Sequence, residues 1–285
     1  MDDLSQDEIA RAVKLALEED VGAGDATTLA TVPEQTMAIA HMVAREPLVV
    51  AGLAFAQTAF STTAPPGKIE LPVRDGAKAG RGEKLLTVHG PARGILTAER
   101  VALNFVQRLS GVATATARYV EAIAGTNAKI LDTRKTTPGW RRFEKYAVRC
   151  GGGHNHRIGL YDMILIKDNH LAAIDAPADQ KIARAIQRAR AAYPKLKIEI
   201  EADTLVQVQQ AIAAGAEMIL CDNMSPSDLR EAVRMAKGRA KLEASGGINL
   251  DTVRAVAETG VDFISVGALT HSARAVDVAL DFENL

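Results

Sequence analysis

The runs LKIEIEA (196–202), AEMILCDN (216–223), KLEASGG (241–247) and DFISVGA (262–268) decide the fold. Each has an apolar core of four or five residues and closes on a polar or glycine residue, and most lead into a helical segment, the pattern of a βα unit. Their ends, Glu201, Asp222, Ser245 and Gly267, follow one another at steps of 21, 23 and 22 residues. That regularity favours one parallel α/β barrel over unrelated units. AKILDT (128–133) and DMILIKD (162–168) extend the series towards the amino terminus.

Before residue 110 the texture changes. Ser5 to Glu8 form a capping box that opens a helix to about Glu19, and GAGDATT (22–28) makes a turn. MAIAHMVA (37–44), REPLVVAG (45–52), KIELPV (68–73) and EKLLTVHG (83–90) read as strands of an α+β domain, punctuated by APPGK and DGAKAGRG. ERVALNFVQRLSGVATATARYVEAIA (99–124) is helical in period, with Ser110 and Gly111 as a kink or boundary.

With 285 residues, 47% of them hydrophobic, the chain can fill a sizeable core. Its 34 Lys and Arg nearly cancel its 35 Asp and Glu, so no global field recruits nucleic acid or an anionic membrane, and any anion site must be local. The acidic, amphipathic start has no apolar leader core, and no run reaches about 18 apolar residues, so a cytoplasmic protein is expected. Cys150 and Cys221 lack metal-ligand spacing and are expected as free thiols.

Barrels of this kind carry their chemistry at the C-terminal ends of the strands. Those ends read Asp132-Thr133-Arg134-Lys135, Lys167-Asp168-Asn169-His170, Glu201, Asp222-Asn223, Ser245-Gly246-Gly247 and Gly267-Ala268. Cations come first, carboxylates next and glycines last, a layout for a phosphorylated, metal-chelating ligand. SGGIN and VGALTHS each open a helix, where backbone N–H groups can face an anion; tight turns alone are the alternative. Glu201 and Asp222 suit Mg2+, which takes one or two protein carboxylates besides water and substrate oxygens. Glu199 has the same side-chain parity as Glu201 and competes for that role. A glycosidase pair ranks below, because it needs neither the cations nor the phosphate loops.

RKTTPGWRRFEKYAVRCGGGHNHRIGLYDMILIK (134–167) is strongly basic. Arg141, Arg142 and Lys145 have helical spacing and are expected on a solvated face, whereas Arg134, Lys135, His156, Arg157 and Lys167 lie at strand ends or beside the triple glycine. His154-x-His156 has no third His or Cys ligand, so zinc is not expected.

The run LDTRKTTPGWRRFEKYAVRCGGGHNHRIGLYDMILIKDNH (131–170), with IEIEADTL, ILCDN, LEASGGIN and VDFISVGALTHS, resembles the quinolinate phosphoribosyltransferases, the carboxylating nicotinate-nucleotide pyrophosphorylases. LALEEDVGAGDATT and AERVALNFVQRLSGVATAT extend the likeness over nearly the whole chain. The resemblance implies an N-terminal α/β sandwich (1–110), then an incomplete parallel α/β barrel of six to seven strands (111–285) whose last helix packs back on the first domain. It further implies a homodimer or hexamer with a shared site, and an Mg2+-dependent reaction of quinolinate with 5-phosphoribosyl 1-pyrophosphate in NAD biosynthesis. Arg134, His156, Arg157 and Lys167 would hold the quinolinate carboxylates, beside Thr133 and with Arg100 from the neighbouring subunit. Lys135, Glu201 and Asp222 would handle the donor and metal as the catalytic set, and Ser245, Gly246, Gly247, Val266, Gly267, Ala268 and His271 would surround the 5-phosphate. Rival readings are a relative serving another anion, including the molybdenum-transport-associated branch, and a phosphometabolite-binding module without turnover. The intact Lys135, Glu201 and Asp222 set argues against the latter.

Overall fold

A computed structural model describes residues 4–65 and 67–283. Helix α1 (Gln6–Val21) begins at the expected capping box, with Ser5 Oγ accepting the Glu8 N–H and the Glu8 carboxylate accepting the Ser5 N–H. Such a cap is worth about 1 kcal/mol. Then come α2 (Ala26–Thr31), β1 (Met37–Ala44), β2 (Leu48–Val49), α3 (Leu53–Thr63), β3 (Lys68–Glu70), β4 (Lys78–Ala79), β5 (Lys84–Pro91) and α4 (Ala92–Ala122). The second half follows as β6 (Lys129–Leu131), α5 (Arg141–Cys150), β7 (Ile164–Ile166), α6 (Asp168–Ala172), α7 (Lys181–Ala192), β8 (Ile198–Ala202) and α8 (Leu205–Ala213). It closes with β9 (Met218–Asp222), α9 (Pro226–Ala236), β10 (Lys241–Ser245), α10 (Val253–Ala257), β11 (Phe263–Ser265), α11 (Ala268–His271) and β12 (Val278–Glu283).

The described residues form two compact units: one takes those up to 117 with 142–152 and those from 272 on, the other 118–141 and 153–271. The expected boundary at residue 110 lies inside α4. In the first unit a four-stranded antiparallel sheet has the order β12-β1-β5-β3, and β2 pairs with β4. Phe55, Phe60, Met42, Leu85, Leu86 and Leu109 are fully buried, and Phe55 stacks on Phe105 at 4.7 Å between ring centroids.

Several expectations for this unit are corrected. Residues 26–31 are not only turn: Asp25 caps α2 by accepting the Thr28 N–H at 3.0 Å. Residues 53–63, not read as helical, form α3, whose buried apolar side chains blur the amphipathic period. The expected final helix packing back is the strand β12, which pairs antiparallel with β1 from Ile39↔Glu283 to Ala44↔Val278. The helical face 141–145 is not simply solvated, because Glu144 and Lys145 are buried; Glu144 pairs with Arg108 and Arg142 with Glu8.

Ser110 and Gly111 do not break α4. Ser110 Oγ donates to the Ala51 carbonyl and accepts the Ala51 N–H, while a Cβ on Gly111 would lie 2.0 Å from the Arg274 carbonyl oxygen. The glycine therefore serves close backbone approach. Gly111→Ala is expected to destabilise the protein by about 2 kcal/mol, because backbone must move and better helix propensity offsets less than half of that. Thermal and urea unfolding would check this, and an unchanged midpoint would refute the packing role.

The second unit holds the parallel sheet, ordered β6-β11-β10-β9-β8-β7, of an incomplete α/β barrel. Strands β6 and β7 are its two edges. On the β6 side the glycine-rich turn acts as a partial strand: the His154 N–H donates to the Ile130 carbonyl at 2.8 Å, and the Asp132 N–H to the His154 carbonyl at 3.1 Å.

Candidate active site

A cavity of about 420 Å³ opens at the C-terminal ends of these strands. Thr133, Arg134 and Lys135 line it after β6, His156 and Arg157 from the glycine-rich turn, Lys167 after β7, Glu201 from β8 and Asp222 from β9. Glu243 and Ser245 of β10, Ser265 of β11, Leu165 and Leu220 complete the wall. The alternation of side chains along each strand puts these residues on one face.

Two cations in this cavity have no ion pair within 4.0 Å among the described residues, although the charges of Glu199 and Asp162 act on Arg157 from further off. Arg134 Nε is buried without a hydrogen bond, and Arg157 Nη1 donates only to the Met163 carbonyl, at 3.1 Å. Burial and then the charge of Arg134 hold the Arg157 guanidinium below its ordinary pKa. Lys167 Nζ, in contrast, donates to Glu201 Oε2 at 2.9 Å.

His156 is held differently. Its Nδ1 accepts the Arg157 N–H at 2.8 Å, so that nitrogen carries no proton and the ring hydrogen is on Nε2. Nε2 lies 2.9 Å from Glu199 Oε2 and 3.5 Å from Glu243 Oε2. The ring is thereby assigned as neutral, and its Nε2–H donates to Glu199. The three side chains form a cluster that could hold a metal, with ligand atoms within 4.8 Å of one another, yet a ring nitrogen that bears a hydrogen has no lone pair to offer one. Burial raises the Glu199 and Glu243 carboxyls above their ordinary range; the charge of Glu199 raises Glu243 further.

The opposite wall is built for close approach. Asn223 has a left-handed φ of 54°, and its Nδ2 donates to Asp222 Oδ2 at 2.8 Å. A Cβ on Gly246 would sit 2.2 Å from Asn223 Oδ1, and one on Gly267 would sit 3.1 Å from both His271 Nε2 and Lys135 Cδ. Thr270 Oγ1 donates to the Lys135 carbonyl at 2.6 Å, tying the loops after β6 and β11 together.

This arrangement coincides with a family model for the quinolinate phosphoribosyl transferase C-terminal domain matching residues 112–281 and one for its N-terminal domain matching 25–110. The chain belongs to the quinolinate phosphoribosyltransferase family. It is 45% identical to the carboxylating nicotinate-nucleotide pyrophosphorylase of Mycobacterium leprae, over 99% of both chains. A probable carboxylating enzyme of that name from Bacillus subtilis is also 45% identical, over 92% of this chain and 89% of that one. The nicotinate-nucleotide pyrophosphorylase structure from Francisella tularensis superposes with a TM-score of 0.93 at 40% identity, covering 99% of this chain and all of that one. The function, enzyme class and fold expected from the sequence are those of this family.

Of the residues expected to serve a quinolinate phosphoribosyltransferase, nine line the cavity: Thr133, Arg134, Lys135, His156, Arg157, Lys167, Glu201, Asp222 and Ser245. Gly246, Gly247, Gly267, Ala268 and His271 lie in the adjoining loops. The Val266 side chain is buried, its N–H donates to the Leu131 carbonyl and its own carbonyl accepts the Leu269 N–H, so it shapes the loop and offers no donor to a phosphate. Arg100 is exposed on α4 of the first unit. Helices α10 and α11 have five and four residues, too short for a developed dipole, so anion binding there rests on loop N–H groups. Sequence reading missed Glu243, although it precedes Ser245 by two residues and shares its parity, the signal that did single out Glu199. Asp132, read as part of the ring, is fully buried and accepts from the His156 N–H at 2.9 Å and from Asn155 Nδ2 at 2.5 Å, organising the turn.

Both cysteines are free, and among the described residues no helix is long and apolar enough to cross a membrane.

Proposed function

We propose that this cavity joins quinolinate to 5-phosphoribosyl 1-pyrophosphate, giving nicotinate mononucleotide, pyrophosphate and carbon dioxide for NAD biosynthesis. The observation that carries this reading is Arg134 and Arg157, neither in an ion pair among the described residues, beside Lys167 and facing a wall that carries Glu201 and Asp222. Arg134, Arg157 and Lys167 clamp the two carboxylates of quinolinate, which holds its pyridine nitrogen in line with ribose C1. His156, neutral and tied at both ring nitrogens, supports the clamp.

Glu201 and Asp222 sit on neighbouring strands of the wall, a two-carboxylate set that fits Mg2+ completed by water and substrate oxygens. When bound, Mg2+ would supply neutralisation of the pyrophosphate leaving group. Lys135 adds positive charge on the same side, while the carboxylates face the cation that develops on the sugar. The 5-phosphate takes the N–H groups of Gly246, Gly247, Gly267 and Ala268 with the side chains of Ser245 and His271. As the nitrogen bonds to C1, the bond to pyrophosphate breaks. The electron pair released when the adjacent carboxylate departs as carbon dioxide stays on the ring carbon beside the cationic nitrogen, and a proton from water bonds there to give nicotinate mononucleotide.

The reading includes a cytoplasmic homodimer, or a hexamer built from it, in which Arg100 of one copy reaches the other's quinolinate. Mixing the protein with both substrates and Mg2+ and following nicotinate mononucleotide tests the reaction; no product would overturn it. Arg100→Ala mixed with Arg157→Ala should regain roughly a quarter of full activity, since half the dimers would carry one intact site. No recovery despite proven subunit exchange would refute the shared site.

A further inference from the structure

Glu199 of β8 is fully buried beneath the cavity and Glu243 of β10, equally buried, belongs to its wall, and no step of the reaction uses either. Glu199 Oε1 and both Glu243 carboxylate oxygens have no hydrogen-bond partner among the described residues. Water-excluded carboxyl oxygens without hydrogen bonds are costly, and Leu165 and Leu220, paired in register with Glu199 and Glu243, show that this layer accepts apolar side chains. Their presence here therefore calls for a function.

The geometry supplies one. Glu199 Oε2 takes the His156 Nε2–H at 2.9 Å, with Glu243 Oε2 3.5 Å from the same nitrogen. With that hydrogen fixed, Nδ1 is left as an acceptor, and it takes the Arg157 N–H at 2.8 Å. Asp132 secures the same turn by accepting the His156 N–H at 2.9 Å. The backbone of Arg157 is thus tied to the barrel floor through the imidazole ring. Held in this way, the guanidinium need not be ordered when its anion arrives.

We infer that Glu199 and Glu243 are positioning residues of the dicarboxylate half of the site: they fix the His156 ring, and through Nδ1 the Arg157 backbone, and so set affinity for the acceptor without touching it. The inference rests on the reading of Arg134, Arg157 and Lys167 as the carboxylate clamp. It makes the two substrates respond differently, because the hydrogen bonds run from Glu199 through His156 to Arg157 on the acceptor side, and Glu201 and Asp222 are not among them.

The test compares Glu199→Leu, Glu243→Leu and Glu199→Gln in the full chain. Glu199→Leu removes the acceptor for Nε2–H and should raise the quinolinate KM at least about tenfold while the donor KM stays within about twofold. Glu243→Leu should act in the same direction, more weakly. Glu199→Gln should return the quinolinate KM to within about threefold of the parent, because its amide oxygen still accepts from Nε2–H and its NH2 group can donate to Glu243. A quinolinate KM unmoved in both leucine variants, or equal rises in both KM values without rescue by glutamine, would overturn the inference. Nitrogen-15 histidine spectra of the unmutated protein keep it testable should the leucine variants not fold. A His156 ring protonated on Nε2 alone is expected, and a hydrogen on Nδ1 would refute the chain of contacts. If the unmutated protein makes no nicotinate mononucleotide, the proposed reaction fails on its own. The Kd of phthalate, an unreactive dicarboxylate, in the same variants still decides the positioning role.

Discussion

Arg157→Ala is expected to lower kcat/KM for quinolinate roughly a thousandfold, about 4 kcal/mol, with most of the loss in KM and the donor Kd preserved. The size follows from what the guanidinium has in the free protein. It is half-buried, shares the cavity with Arg134 and has no ion pair in contact among the described residues, so the charges of Glu199 and Asp162 offset its desolvation only in part and the arriving carboxylate supplies the rest. Removing it leaves that carboxylate against Arg134 and Lys167, one of which is already engaged by Glu201. Steady-state kinetics with quinolinate varied at saturating donor, and calorimetry of the donor alone, separate the two effects. Equal loss of donor affinity would sink the assignment of Arg157 to the acceptor.

The second large effect is expected at the other wall. Asp222→Asn should weaken the Mg2+ dependence of donor binding roughly a hundredfold, about 3 kcal/mol, because a neutral amide replaces one of two carboxylates offered to the ion. Asn223 makes the case informative: its Nδ2 already donates to Asp222 Oδ2, which leaves the other oxygen for metal or ribose. The measurement is donor Kd titrated against Mg2+ by calorimetry, which requires no turnover. An Mg2+ titration that superposes on that of the unmutated protein would contradict a metal role for Asp222.

What could be read from the chain alone, and what could not, divides along physical lines. The βα series at 196–268 was legible because each strand is a short apolar run with a polar end, and all four runs are strands of the observed sheet. Of the nine cavity residues named beforehand, Glu201, Asp222 and Ser245 sit at those ends, where strand direction alone decides which way they face, Thr133 to Lys135 and Lys167 follow β6 and β7, and His156 and Arg157 lie in the glycine-rich turn. Helix α3 was not legible, since a helix buried on several sides loses its polar stripe. Gly111 looked like a breaker because sequence shows a missing side chain but not the Arg274 carbonyl that occupies its space. Lys145 looked solvated because charge predicts exposure on average, and burial of a charged side chain depends on partners far away in sequence. The state of His156 was beyond reach for the same reason: its Nε2–H acceptor, Glu199, lies 43 residues away.

The pairing of β1 with β12 has a consequence for the order in which the protein is made. Residues 37–44 leave the ribosome before their partner, 278–283, which is synthesised more than two hundred residues later. At about 5–20 residues per second the interval lasts roughly ten seconds to a minute. Throughout it, the β12 side of β1 is an unpaired strand edge in a unit that cannot finish folding, the kind of edge on which nascent chains associate wrongly. Chaperone demand during translation, rather than the stability of the finished sheet, is where this topology makes itself felt.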